Sequence, residues 1–202
     1  MPPKLKKPLA APKYSLFREL QNLGYRSIIG VDEVGRGALA GPVVVAAVEV
    51  KRCLDGITDS KLLAKSQRTN LAQLLHQDCL RIRFGTASNQ EIDQIGMKEA
   101  LRRAYSRALK TLKADLVLTD HYSLPTDHRF IRATHGDSLF YPVAAASIVA
   151  KVHRDQLMSI YHRFYPDYHW DQNAGYATKS HRHAIQELGF CPLHRTSFCL
   201  KG

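Results

Sequence analysis

The sequence predicts a three-layer α/β domain, and three observations predict it. Short runs rich in β-branched residues, such as Ser27 to Val31 and Val43 to Val50, have the make-up of strands. Most are separated by stretches long enough for crossover helices, the pattern of a sheet covered on both faces. A length of 202 residues with 45% hydrophobic content suits one domain with a substantial core.

Residues 1–13 carry four lysines and four prolines and read as a disordered basic arm, leaving 14–202 as the folded domain. Tyr14 to Leu23 is a short amphipathic helix ended by Gly24. The two strands Ser27 to Val31 and Val43 to Val50 follow, joined by an acid- and glycine-rich loop. Ser66 is expected to cap a helix reaching Asp78, with Leu71, Leu74 and Leu75 inward. Leu80 to Thr86 alternates as a half-exposed strand with its arginines outward. Ser88-Asn-Gln-Glu91 matches a capping box. Gly96 interrupts the helix it opens, and a basic helix continues from Met97 to Leu112. Ala114 to Thr119 is a buried strand ending at Asp120, and Phe130 to Thr134 is a further strand. Tyr141 to Phe164 is a long helix. A Gly175-Tyr176 loop leads to a last helix, Thr178 to Leu188, stopped by Gly189.

The charge narrows the partners. Lys and Arg number 29 against 18 acids, a net charge of +11, which favours a polyanion, nucleic acid before an anionic membrane. No apolar stretch approaches the roughly 20 residues of a membrane span. Cys53, Cys79, Cys191 and Cys199 make no close Cys-x-x-Cys pair and read as free thiols, and no signal-peptide core is visible. A cytoplasmic location is expected.

The chemistry concentrates in acids near strand ends. Asp32 and Glu33 are adjacent and precede Gly35-Arg36-Gly37. Adjacent buried carboxylates repel unless a cation lies between them, and flanking glycines let backbone N–H groups approach a ligand. On an ideal strand the two side chains point to opposite faces, so a shared site requires the strand to end or bulge there. Asp120 leaves a later strand, and Asp155 lies within the long helix. Any one of these acids alone reads as a surface charge. Together with the net charge they point to oxygen ligation of hard divalent ions and phosphoryl chemistry.

Five ordered motifs carry a resemblance. Gly30-Val-Asp-Glu-Val-Gly-Arg-Gly-Ala-Leu-Ala-Gly-Pro-Val43 comes first, then Asp59-Ser-Lys-Leu62. Gly136-Asp-Ser138 precedes Ala144-Ala-Ala-Ser-Ile-Val-Ala-Lys-Val-His-Arg-Asp155. Gly175-Tyr-Ala-Thr-Lys-Ser-His181 and His194-Arg-Thr-Ser-Phe198 close the series. From Ile28 to Phe198 the chain resembles the type 2 ribonuclease H (ribonuclease HII) family. The resemblance implies a ribonuclease H-like fold with a mixed central sheet and a helical C-terminal appendage. It implies cleavage of RNA in RNA–DNA hybrids and incision 5′ of single ribonucleotides embedded in duplex DNA, with Mg²⁺ or Mn²⁺ as cofactor. Asp32, Glu33, Asp120 and Asp155 would be the metal-binding quartet. Gly35, Arg36 and Gly37 would read the ribose 2′-OH, largely through backbone atoms, and Tyr176 would stack on the following deoxyribose. Ser60, Lys61, Ser147 and Lys179 would lie near phosphates. A monomer is expected.

Two positions depart from the family pattern. His121 follows Asp120 where the family usually has glycine, with Asp115 and Asp127 as poor substitutes by position. Leu62 replaces a second lysine after Lys61. His121, His153, His181 and His183 are read as solvated or nucleic-acid-facing rather than as ligands, and Trp170 as packed under the C-terminal loop. A junction resolvase of the same fold class, or a basic binding protein without catalysis, are the rival readings.

Overall fold

The computed structural model of the chain describes residues 14–120 and 126–198. Helix α1 (Tyr14–Asn22) precedes the antiparallel strands β1 (Ile28–Val34) and β2 (Val43–Glu49). Helix α2 (Lys65–Asp78), strand β3 (Arg81–Ala87) and helix α3 (Asn89–Leu109) follow. Strands β4 (Leu116–Asp120) and β5 (Phe130–Ala133) complete a five-stranded sheet in the order β3-β2-β1-β4-β5. The β3–β2 and β2–β1 pairs are antiparallel, while β1–β4 and β4–β5 are parallel, so the sheet is mixed. The C-terminal part holds α4 (Gly136–Leu139), α5 (Tyr141–His162), α6 (Trp170–Asn173) and α7 (Lys179–Leu188).

Strand alternation builds the layers. Ile28, Ala46, Val48, Leu116 and Leu118 face a core shared with α1, α2 and α5. Ile29, Val31, Val43, Val45 and Val117 face the other way, onto α3. Gly30 is required where α5 crosses β1, because a Cβ there would lie 2.0 Å from the Pro142 carbonyl carbon. A third cluster, including Leu39, Met158, Tyr168, Trp170 and Ile185, forms the C-terminal appendage.

Local signals explain most boundaries. The Ser88 hydroxyl accepts from the Glu91 N–H at 3.1 Å and the Glu91 carboxylate accepts from the Ser88 N–H at 3.1 Å, closing the expected capping box. Gly96 (φ 75°) kinks α3 where the sequence places an interruption. Helix α2 corrects two expectations. Its cap is Ala64, not Ser66, and the Ala64 N–H donates to the Gln67 side chain at 2.9 Å. Leu74 is 48% exposed, whereas Ala72 and Leu75 turn inward. Strand β1 is also longer than its apolar run, since Asp32 and Glu33 stay in register with Ala46 and Val45 of β2. Partners on two layers hold these acids in place of a bulge.

Candidate active site

Strands β1 and β4 run parallel and their pairing ends at Val31 and Thr119. The next residues are Asp32 and Asp120. Gly136, which opens α4, packs on the end of β4, where a Cβ would come within 2.9 Å of the Thr119 oxygen. Its N–H donates to Asp120 Oδ1 at 3.0 Å. That close approach brings Asp137 beside Asp120, with Lys61 Nζ 3.9 Å from Asp137 Oδ2. Asp32, Glu33, Asp120 and Asp137 therefore line one cleft of about 360 Å³.

Each acid is anchored separately. Asp32 turns toward α5 and is hydrogen-bonded by Ser147, whose hydroxyl lies 2.9 Å from that of buried Ser60. Glu33 turns the other way. The buried Tyr105 hydroxyl of α3 donates to Glu33 Oε2, and Arg36 Nη1 donates to Glu33 Oε1 at 3.1 Å. Burial and then the Glu33 charge hold the Asp32 carboxyl well above its usual range, against the Ser147 hydrogen bond. Burial and Asp59 likewise raise Asp137, although Lys61 opposes this. For Lys61, desolvation is outweighed by Asp59, Asp137, Asp32 and Asp120, so its ammonium is held above its ordinary value. Among the described residues no three Asp, Glu, His or Cys side chains close into a ready-made metal cage. The donor set is nevertheless oxygen-only and strained by mutual repulsion, which a hard divalent cation relieves.

Beyond the acids the lining is a glycine-rich turn and an aromatic ring, with Arg36 and Lys151 as cations. Gly35, Arg36 and Gly37 line the cleft after β1, and Tyr176 faces them. Gly35 has φ 93° and its Cα lies against Arg154, so any Cβ would meet Arg154 Nε at 2.2 Å. Ala38 forms a β-bridge with Tyr176, and Leu39 N–H donates to the Gly175 oxygen at 2.7 Å. The Tyr176 ring has Lys151 Nζ at 5.5 Å and Arg154 Cζ at 5.4 Å from its centroid.

Several expected residues sit elsewhere. Asp155 is absent from the cleft lining and instead borders a neighbouring groove between α2 and α5 with Arg68, Thr69 and Gln156. It lies eight residues beyond Ser147, about 12 Å farther along α5 at 1.5 Å per residue. Its carboxylate binds Lys151 Nζ at 2.7 Å, and Asp137 takes the fourth place in the cleft. Ser60 and Ser147 line the cleft, but their hydroxyls engage each other, and that of Ser147 also engages Asp32. Lys179 is exposed at the start of α7 and is not part of the lining. His121 lies outside the described residues.

The histidine reading holds for His183, which is exposed, and fails for His181. His181 is fully buried, accepting from Trp170 Nε1 at 3.0 Å and lying 3.1 Å from His194 Nε2. The Cys191 N–H donates to His194 Nδ1 at 3.0 Å. With Nδ1 accepting, neutral His194 carries its proton on Nε2 and shares the single His181 Nε2 lone pair with Trp170 Nε1–H, while His181 Nδ1–H donates to the Tyr176 oxygen at 2.9 Å. Half-buried His153 stacks on Phe84 at 4.0 Å.

The family model described as Ribonuclease HII matches residues 29–201. The chain belongs to the ribonuclease HII family. It is 48% identical over 179 residues to a ribonuclease HII of Orientia tsutsugamushi, covering 87% of each chain. It is 43% identical over 194 residues to that of Syntrophus aciditrophicus, covering 91% of this chain and 89% of the relative. Among solved structures, the PCNA:RNase HII complex from Archaeoglobus fulgidus contains a chain matched with a TM-score of 0.75 at 25% identity, over 87% of this chain and 96% of that one. Membership in the ribonuclease HII family makes the chain a ribonuclease, with the ribonuclease H-like fold expected from its motifs. Among the described residues no helix is long and apolar enough to cross a membrane.

Sequence reasoning missed Asp137, Tyr105, Lys151 and two buried arginines. Asp137 was legible as an acid directly after a glycine, at a helix start. Nothing marked Tyr105, whose neighbours are those of a solvated basic helix.

Proposed function

We propose that the chain is a metal-dependent endoribonuclease that cleaves RNA in RNA–DNA hybrids and incises duplex DNA 5′ of a single embedded ribonucleotide. One observation carries the reading: a single cleft with four carboxylates on one wall and a Gly-Arg-Gly turn facing an aromatic ring on the other.

Asp32, Glu33, Asp120 and Asp137 are the residues we assign to hold Mg²⁺ or Mn²⁺. Bound there, in a two-ion arrangement, the metal would supply charge neutralisation for in-line displacement at phosphorus. Ser147 and Ser60 orient Asp32, while Tyr105 and Arg36 orient Glu33. Lys61 and Lys151, both in the lining, would meet phosphate oxygens. Gly35 to Gly37 present backbone to the ribose 2′-OH, and Tyr176 offers a flat face to the next sugar. The net charge of +11 favours the duplex as a whole.

The test is cleavage of a labelled duplex carrying one ribonucleotide, beside a long hybrid, an all-DNA duplex and a four-way junction. Each is incubated with Mg²⁺, Mn²⁺ or a chelator. The expected result is one nick 5′ of the ribonucleotide, cleavage throughout the hybrid, and no reaction on all-DNA or with chelator. Junction resolution, or a shifted band without cleavage, would overturn the proposal.

A further inference from the structure

Beneath the recognition wall lie two arginines that no carboxylate accompanies among the described ion pairs. Arg154 is fully buried and Arg195 is 1% exposed. Arg154 donates Nε to the Pro42 oxygen at 2.9 Å, Nη2 to the Ala40 oxygen at 3.0 Å and Nη1 to the Ala174 oxygen at 2.8 Å. Arg195 donates Nε and Nη2 to the Gly41 oxygen at 3.0 and 2.8 Å, and Nη1 to the Arg36 oxygen at 3.0 Å. Every one of these acceptors is a main-chain carbonyl. All belong to the segment 36–42 or to the turn before Tyr176.

Burying a cation without a carboxylate in contact is unfavourable, and burial lowers both guanidinium pKa values despite the more distant charges of Asp155 and Asp93, so the fold keeps this arrangement against a standing cost. Its return is geometric. A guanidinium is a rigid planar fork, and here Arg154 grips three carbonyls and Arg195 two. Arg154 reaches both walls of the recognition pocket, gripping the loop after β1 and the turn that carries Tyr176. Gly35 leaves room for its Nε directly beneath the loop. Arg195 holds the same loop from the C-terminal segment, and its own N–H donates to the Leu39 oxygen at 2.8 Å.

We infer that Arg154 and Arg195 are positioning residues for substrate discrimination, fixing the Gly35–Gly37 turn and Tyr176 at the spacing of one ribo-to-deoxy step. Neither side chain has to touch substrate for this. The inference rests on the proposed junction reading, and it adds that selectivity for the single ribonucleotide resides in two buried forks. Lysine cannot replace them, because one ammonium point cannot span separated carbonyls, on two loops for Arg154 and at two points of one loop for Arg195.

The experiment measures kcat/KM on a single-ribonucleotide duplex and on a long hybrid for wild type, Arg154→Lys and Arg195→Lys, with thermal unfolding alongside. The single-to-hybrid ratio should fall about tenfold in each variant, the worth of about 1.4 kcal/mol, with the loss in KM on the single-ribonucleotide duplex. An unchanged ratio in folded variants overturns the positioning role. Wild type that fails to nick the single ribonucleotide overturns the junction reading instead. NMR of the wild type keeps the inference testable should a variant not fold. The Nε–H resonances of both arginines should shift when the junction duplex binds with Ca²⁺, but not with an all-DNA duplex. Resonances that stay still with both duplexes overturn the role.

Discussion

The two walls of the cleft are built by opposite means. The carboxylate wall stands on the sheet, where Asp32, Glu33 and Asp120 occupy β1 and β4 and Asp137 is pressed against them through Gly136. Its charges are crowded, and burial holds Asp32 in a range where it resists ionisation. The recognition wall is made of loops, held by main-chain bridges, two buried arginines and the His181–His194 pair. In the proposed function, chemistry thus falls on rigid strands at an electrostatic cost, while selectivity falls on irregular backbone that other side chains must hold still. The two walls should therefore respond oppositely to loss of charge.

Removing charge from the carboxylate wall should give the largest effect. Asp32→Asn and Asp137→Asn should each lower kcat by more than about 10³-fold, since in the proposed mechanism several kcal/mol of charge stabilisation at phosphorus depend on the ions assigned to them. Asp32→Asn should not lose stability. Without divalent ions at pH 8 its Tm should equal or exceed that of wild type, because a carboxylate held above its usual pKa opposes folding when ionised. Retention of more than a tenth of wild-type activity, in Mg²⁺ or Mn²⁺, would break the assignment of either residue. A clear drop in Tm for Asp32→Asn would show that its hydrogen bonds outweigh repulsion.

Acidification should separate the walls next. Burial, and then the charge of His181, hold His194 down to about 4, and burial lowers His181 as well. The unfolded chain takes up these protons below about pH 6.5 and the folded chain does not. Stability from this pair is thus complete above pH 6.5 and is lost as pH falls toward 4. For His194 alone the loss is on the order of 3 kcal/mol, at about 1.4 kcal/mol per pH unit. Asp32 has the reverse sign, its destabilisation easing as pH falls through its raised pKa. Urea unfolding of wild type and His194→Gln between pH 7.5 and 4.5 is the measurement. The variant should start weaker and show a flatter slope. Parallel slopes would remove His194 from the account.

The recognition wall should show its own effect as a ratio, not as a rate. Tyr176→Ala should reduce incision at a single ribonucleotide about tenfold more than cleavage within a long hybrid, the worth of about 1.4 kcal/mol, as the flat face against the next sugar is lost. Tyr176→Phe keeps the flat face and should be milder. Equal slowing of both substrates would make Tyr176 a packing residue.

The contrast between the walls also decides what could be read from sequence. Strands, the capping box at Ser88 and the kink at Gly96 follow from local patterns and appear in the fold as expected. So do Asp32 and Glu33 as a pair, although their route into one cleft differs: Ser147 draws one acid to its layer and Tyr105 draws the other. Arg154 was invisible for a physical reason. Arginine in a polar helical run reads as solvated, and its partners at positions 40 and 42 lie more than 100 residues away along the chain. His181 was hidden the same way, its burial set by Trp170 and His194 and not by its neighbours.

The smallest predicted effect concerns the acid whose expected place the fold changes. Asp155 reads as catalytic only if α5 presents it to the strand ends, and the helix carries it about two turns past that point. What it contacts is Lys151, which lines the cleft and lies over the Tyr176 ring. Asp155→Asn should then free Lys151 without emptying the carboxylate wall. A partly exposed helical ion pair of this kind contributes up to about 1 kcal/mol, so kcat/KM should fall only a few-fold. The loss should sit in KM, because binding is perturbed while the groups assigned to the metal stay in place. Asp137→Asn in the same assay supplies the scale. If Asp155→Asn matches it in severity, and lowers kcat rather than raising KM, then α5 must shift on substrate binding to bring Asp155 to the strand ends, and the quartet implied by the motifs is restored.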